Sequence, residues 1–332
     1  MSAGRALRED DLVVAIRALV DADAPARVRV GIGDDAAVWQ PSRSHRSAIT
    51  TDALIEDVHF KRAWASDREI GIRAMVANVS DLAAMGARPI LATVALGFPS
   101  AFGNENVLEL YRGMLEVARQ ARLCIVGGDL TRAPVVTIAI TLVGEVRDSN
   151  LKLRRGARAG DAIVVTGPLG AARAGLDVLR ESVKLEGALV EEALRAYRTP
   201  QARLAQGRWL GASANVHAMM DCSDGLSTDV ARLCAASGTG ALIDDVPIAA
   251  CAAAAARALG VDAAGYALAG GEEYELIAAI APRALTYLSA RFHARFNRAL
   301  LRVGEIRKDP EMLVRIGDRL ETLAPAGFDH FA

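Results

Sequence analysis

Aspartates stand where apolar runs stop in this chain. Asp52 follows "AITT", Asp129 follows "IVGG", and Asp221 follows "HAMM" with Asp224 one turn later. A doublet, Asp34–Asp35, interrupts "GIGDDAAV", and Asp81 lies in the helical pattern "NVSDLAAMGA", three residues from Asn78 and on its face. Any one of these acids is satisfied as a helix N-cap or a turn residue, and the doublet alone reads as a solvated turn. The whole set asks for a sheet that aims its strand ends at a common point. Two carboxylates about 4 Å apart repel by about 4 kcal/mol at an effective dielectric near 20. A domain is stable by only about 5–15 kcal/mol, so convergence requires bound divalent cations or protons. Carboxylate and hydroxyl donors without a His/Cys set favour magnesium over zinc, and magnesium shares its coordination with substrate phosphates. The pattern therefore points to phosphoryl chemistry on a nucleotide.

At 332 residues the chain is long enough for two domains of about 100–200 residues each. The expected division is 1–150 and 151–332, with the basic, glycine-containing link "LRRGARAGDAIVVTGPLG" opening the second. Leu12, Val13, Ile16, Leu19 and Val20 recur at helical spacing, and strands are expected over 27–30 and 47–52. A helix from Glu69 to Gly86 with Pro89 as its stop, a strand over 90–98, a helix over 104–122 and strands over 123–129 and 135–146 follow. In the second half, 218–238 reads as strand end, turn and helix stopped by Gly238, 251–260 as a small-residue helix, and 270–280 as a glycine turn entering a strand. The fold class is mixed α/β.

Composition removes several function classes. A net charge of −1 and an aromatic content of 5% argue against a nucleic-acid surface. Cys124, Cys222, Cys234 and Cys251 are scattered, fitting small apolar spaces better than a zinc site or a disulfide framework. With no secretory h-region and no run of about 18 apolar residues, a cytoplasmic protein is expected, without a membrane partner. A P-loop, the kinase H-R-D and D-F-G set and a Rossmann fingerprint are all missing, so ATP would be held by metals and main-chain amides.

"GIGDDAAV", "TTDALIEDVHF", "NVSDLAAMGARP", "GGDLTR", "DCSDGLSTD", "GGEEYEL" and "GFDHF" follow one another from residue 31 to 331. Seven ordered blocks over nearly the whole chain resemble the thiamine-monophosphate kinase family of the aminoimidazole ribonucleotide synthetase-like (PurM-like) superfamily. The resemblance implies a PurM-like two-domain fold that forms a homodimer through its N-terminal strands. It implies direct transfer of the ATP γ-phosphate to thiamine monophosphate, assisted by Mg2+, without a general base or covalent nucleophile. Carried over by motif, the magnesium ligands would be Asp35, Thr50, Thr51, Asp52, Asp81, Asp129, Asp221 and Asp224. ATP would meet Gly128, Asp129, Arg154 and Ser223, and thiamine phosphate would meet His59, Glu272 and Phe328. Glu273 departs from the pattern, standing where relatives often have Asp, as does Phe328, where some carry Tyr. Two related readings compete: selenophosphate synthetase would show an early Cys, yet the first here is Cys124, and a hydrogenase maturation factor would end on a reactive Cys rather than "FDHFA". A non-catalytic cation-binding protein would not need the 270–276 block.

Overall fold

The computed structural model describes residues 9–20, 27–32 and 36–327; Asp34, Asp35 and Phe328 lie outside the described residues. The chain divides into two compact units. One draws on Met1–Leu82 and Arg88–Arg147, the other on Ala83–Ala87 and Asp148–Ala332.

The first unit opens with α1 (Glu9–Val20), which buries Leu12, Ile16 and Val20 at four-residue spacing. A two-stranded ribbon, β1 (Val28–Val30) with β2 (Val38–Trp39), follows. β3 (Arg46–Ile55), β4 (Arg88–Phe98), β5 (Cys124–Arg132) and β6 (Thr137–Val146) form a four-stranded sheet in the order β3-β6-β4-β5. Only β4 and β5 run parallel, and their crossover carries α3 (Asn104–Ala121). The other helix of the unit is α2 (Asp67–Ala84). Glycines set how closely α2 and α3 approach: a Cβ on Gly71 would lie 2.1 Å from Leu110 O, and one on Gly113 would lie 1.9 Å from Arg68 O. One sheet face buries Val94, Leu96, Ile138, Ile140 and Leu142. The other carries Thr51, Thr93, Ala95, Ala139 and Thr141, none of them buried.

Two sequence expectations change here. Asp52 and Asp129 do not end their strands but sit inside β3 and β5. These are the two outer strands of the sheet, where an exposed carboxylate keeps its water, so an interior strand position carries little desolvation cost. Pro89 does not stop α2. The helix ends at Ala84, Gly86 turns the chain at φ +67°, and Pro89 falls near the start of β4.

The second unit is built on a seven-stranded sheet, β7 (Ala162–Val165), β8 (Val216–Cys222), β9 (Gly240–Ile243), β10 (Glu275–Ile280), β11 (Leu301–Arg307), β12 (Met312–Ile316) and β13 (Arg319–Thr322). Its order is β13-β12-β9-β11-β7-β10-β8, antiparallel except between β12 and β9. Alternation sends Met220, Cys222, Ile277 and Ala279 to one face, against α7 (Leu226–Ser237) and α9 (Ala263–Leu268). Met219, Leu276, Ala278 and Ile280 go to the other, against α6 (Leu204–Gly211), α10 (Pro282–Phe296) and the short segment Ala83–Ala84. Both faces are covered, which is why these strands read as continuous apolar runs. α4 (Ala171–Leu179), α5 (Ala188–Arg198) and α8 (Ala250–Leu259) build a further apolar cluster around Ala252, Ala255 and Tyr266. All four cysteines are buried, as expected from their scatter.

Candidate active site

In the first unit, the hydroxyl of Thr50 donates a hydrogen bond to Oδ2 of Asp81 on α2. Asp52 lies two residues further along β3 and so shares that face, while its Oδ1 accepts the Ala53 N–H at 2.7 Å. Thr51 points the other way. Its Oγ1 donates to Ile140 O at 3.1 Å and accepts from Thr141 Oγ1 at 3.2 Å. Asp129 is in register with Ala95, itself opposite Ala139, and thus shares the open face with Thr51 rather than the face of Asp52 and Asp81. Gly128, beside it on β5, is exposed, and a Cβ there would lie 1.9 Å from Val94 O. His59 follows β3 in a turn in which its Nδ1 accepts the Ile55 N–H at 3.0 Å. That bond puts the ring proton on Nε2 and makes Nε2 a donor. Arg73 of α2 fixes the turn by donating to His59 O at 3.2 Å.

In the second unit, three motifs converge. β8 delivers Asp221, buried beside β10 opposite Leu276, and then Cys222 on the other sheet face. The chain turns through Ser223, Asp224 and Gly225 into α7, Gly225 adopting φ +111°. Asp229, fully buried in the first turns of α7, accepts the N–H groups of both Ser223 and Asp224 at 3.0 Å on a single oxygen, Oδ2. Its Oδ1 meets Arg232 Nη1 at 3.1 Å, and the same nitrogen grips the Asp224 carboxylate. Burial, reinforced by the charge of Asp224, pushes the Asp229 carboxyl up to about 6. The second motif docks directly on this turn. Glu272, at φ +60°, donates its N–H to Ser223 O at 2.7 Å, and Tyr274, at φ +51°, donates to Cys222 O at 2.9 Å. The third is the C-terminal block: Gly327 N–H donates to Thr228 Oγ1 at 3.0 Å, and a Cβ on Gly327 would lie 1.8 Å from Asp224 O. Only a glycine permits that approach.

Two further acids follow Glu272. Oε1 of Glu273 accepts the N–H groups of Gly170 and Ala172 at 2.8 and 3.3 Å, at the start of α4, and burial pushes its carboxyl up to about 8. Glu275 is buried with both oxygens occupied. Arg203 donates to both, at 2.9 and 2.7 Å, Arg298 adds a bond at 2.7 Å, and Thr166 Oγ1 one at 2.6 Å. Cys222 is completely buried, and burial among carboxylates pushes its thiol up, which removes it as a nucleophile.

The expected residues are thus gathered in part. Thr50, Asp52 and Asp81 share one face, as Ser223, Asp224 and Glu272 share one junction; Thr51 and Asp129 point to the opposite face of the first sheet. Arg154 is exposed, and its carbonyl is held by Ser237 Oγ at the C-terminal end of α7. The length of that helix, about 17 Å, separates it from the Ser223–Asp224 turn. Among the described residues, no group of three or more His, Cys, Asp or Glu side chains is arranged to hold a metal ion. Sequence reasoning did not place Asp229, Arg232, Arg203 or Glu275 in the site. The signal for Asp229 was its five-residue distance from Asp224 inside "DCSDGLSTD".

Residues 33–146 match the family model for the N-terminal domain of AIR synthase related proteins, and residues 158–284 match the C-terminal one. Thiamine-monophosphate kinase of Synechococcus elongatus is 35% identical over 320 residues, 94% of either chain. The crystal structure of thiamine-monophosphate kinase from Stenotrophomonas maltophilia superposes with a TM-score of 0.82 at 32% identity, covering 93% of this chain and 97% of that one. AaThiL, solved in complex with AMPPCP and TMP, gives 0.76 at 27% identity, covering 99% and 100%. On the full-length match to these relatives, with its PurM-like pair of AIR synthase related domains, the chain belongs to the thiamine-monophosphate kinase family.

Proposed function

We propose that this chain transfers the γ-phosphate of ATP to thiamine monophosphate, yielding ADP and thiamine diphosphate. The observation that carries the reading is the junction between the Ser223–Asp224 turn and Glu272, closed by the 2.7 Å main-chain bond. It seats a nucleotide motif against an acceptor motif, and direct transfer between two bound phosphates depends on such proximity. The AMPPCP and TMP bound together by AaThiL support the same pairing of substrates.

The residues fit magnesium. Thr50, Asp52 and Asp81 offer hydroxyl and carboxylate oxygens on one face, and Asp221 and Asp224 offer carboxylates in the second unit. Magnesium takes one or two carboxylates and completes its shell with water and substrate phosphates, so an all-protein cage is not needed. Once bound, it would neutralise charge on the phosphoryl oxygens. Asp35 joins the proposed ligand set, Thr51 and Asp129 would serve a separate ion from the opposite face of the first sheet, and Gly128, Arg154 and Ser223 serve ATP. His59 would donate from Nε2 to the acceptor, and Glu272, with Phe328, would line its site. The acceptor phosphate has a second pKa near 6 and is already largely ionised at neutrality, so no general base is required. Transfer is then a single in-line displacement, and γ-chiral ATP would transfer its group with inversion.

The unburied face of the first sheet and its edge strand β3, where Ile49 is 71% exposed, support a homodimer joined through the N-terminal strands. Among the described residues, no helix is long and apolar enough to cross a membrane. Coupled measurement of ADP formation with and without thiamine monophosphate tests the assignment. Turnover that depends on the acceptor and yields thiamine diphosphate is expected; acceptor-independent turnover, or none, would overturn it.

A further inference from the structure

The geometry points to Asp229 as a positioning residue for nucleotide binding, a role that rests on the proposed use of Ser223 and Asp224 by ATP and magnesium. Asp229 cannot itself touch a ligand. It is 0% exposed, and both its oxygens are engaged within the second unit. What it holds is the turn. One carboxylate oxygen takes the consecutive N–H groups of Ser223 and Asp224, fixing the two peptide planes that aim the Ser223 and Asp224 side chains. Its second oxygen anchors Arg232, whose guanidinium also grips the Asp224 carboxylate. Main chain and side chain of Asp224 are therefore set from the same buried acid. A fold-stabilising role alone would need neither the double bond to one oxygen nor the shared arginine, because α7 already begins with Gly225 O accepting the Asp229 N–H at 3.0 Å.

The consequence is a specific kinetic pattern. With the turn released, ATP should bind more weakly, while His59 keeps its own main-chain anchor and Glu272, whose N–H bonds to Ser223 O, loosens only at second hand. Asp229→Asn retains one oxygen able to take both N–H bonds, whereas Asp229→Ala retains none. The experiment measures KM for ATP, KM for thiamine monophosphate, AMPPCP affinity by calorimetry and the melting profile for wild type and both variants. Expected is a rise of about tenfold or more in the ATP KM and AMPPCP Kd for Asp229→Ala, with a clearly smaller rise in the acceptor KM and much of the loss recovered in Asp229→Asn. Nucleotide affinity unchanged in Asp229→Ala, or loss tracking only the fall in melting temperature in both variants, would overturn the role. Should Asp229→Ala not fold, Asp229→Asn decides: an unaltered melt with unaltered AMPPCP affinity and loss confined to the acceptor KM would refute it. Wild-type protein that binds no AMPPCP would instead refute the functional assignment beneath it.

Discussion

Removing the Glu275 side chain should destabilise the second unit severely. The acid is buried between two guanidinium groups, and the side chain of Arg203 is only 14% exposed. Taking away one partner of a buried ion pair costs about 3–5 kcal/mol because it strands the opposite charge. Arg298 moderates the loss, since its side chain is 31% exposed and it also donates to Thr166 O at 3.1 Å. Arg203 has less to fall back on, a 3.4 Å contact with Gln201 Oε1. We therefore expect Glu275→Ala to cost about 3–4 kcal/mol, the lower part of that range. At about 2–4 °C per kcal/mol for a unit of this size, differential scanning calorimetry should show a fall of about 6–16 °C. Glu275→Gln, which keeps an acceptor oxygen but not the charge, should fall roughly half as far. A double substitution, Glu275→Leu with Arg203→Met, should recover part of the loss, because the apolar pair removes the stranded guanidinium at position 203 and leaves only that of Arg298. A shift below about 2 °C for Glu275→Ala would refute the reasoning, since it would mean the two arginines are solvated without their acid.

Asp52→Asn and Asp224→Asn should keep a cooperative melt within about 1 kcal/mol of wild type, since Asp52 is exposed and the Asp224–Arg232 pair is partly so. Both should lose most ADP-forming activity; wild-type turnover at ordinary magnesium would remove them from the site. Glu145 gives a pH test. Burial opposes its charge, but bonds from Arg27 at 2.8 Å and Ser42 N–H at 2.6 Å prevail and hold its carboxyl down at about 2. A folded value below the unfolded one, near 4.5, means that its contribution is complete above about pH 4.5 and lost as the pH falls toward 2. The melting difference between wild type and Glu145→Gln should therefore shrink across that window, and a constant difference would contradict the assignment. Ile49→Glu should convert a dimer to a monomer in sedimentation at micromolar concentration; a wild-type monomer, or an unaltered dimer, would contradict pairing through β3.

Much of the fold is legible in the residues because its strands and helices carry clear periods. Leu12, Ile16 and Val20 announce α1, and Gly238 stops α7 in the left-handed conformation, as read. Strand ends were less visible. An aspartate after an apolar run looks like an end, yet β3 and β5 continue past Asp52 and Asp129 because outer strands tolerate solvated charge. Which face an acid takes depends on register and on the irregularity between Ala92 and Thr93 in the β4–β5 pairing. No local pattern encodes that shift, so the separation of Asp129 from Asp52 was hidden. The motifs of the candidate site were legible as blocks. The partners that hold them were not, since Arg203 and Glu275 lie 72 residues apart and meet only after β10 has paired with β7 and β8.

The five residues Ala83–Ala87 make the two units inseparable by a single cut. They belong to the second unit although 60 residues of the first, Arg88–Arg147, follow them before that unit resumes at Asp148. Ala83 and Ala84 pack in its core with Leu210 and Phe292, and Met85 O accepts the Lys152 N–H at 3.3 Å. A fragment beginning at Asp148 would carry a gap where two alanines belong and an amide without its acceptor. Recombination between relatives with one breakpoint at this boundary would therefore pair a core from one parent with a plug from the other. Such chimaeras should survive only when both parents agree at 83–87, which makes this short segment the place where inheritance of one unit constrains the other.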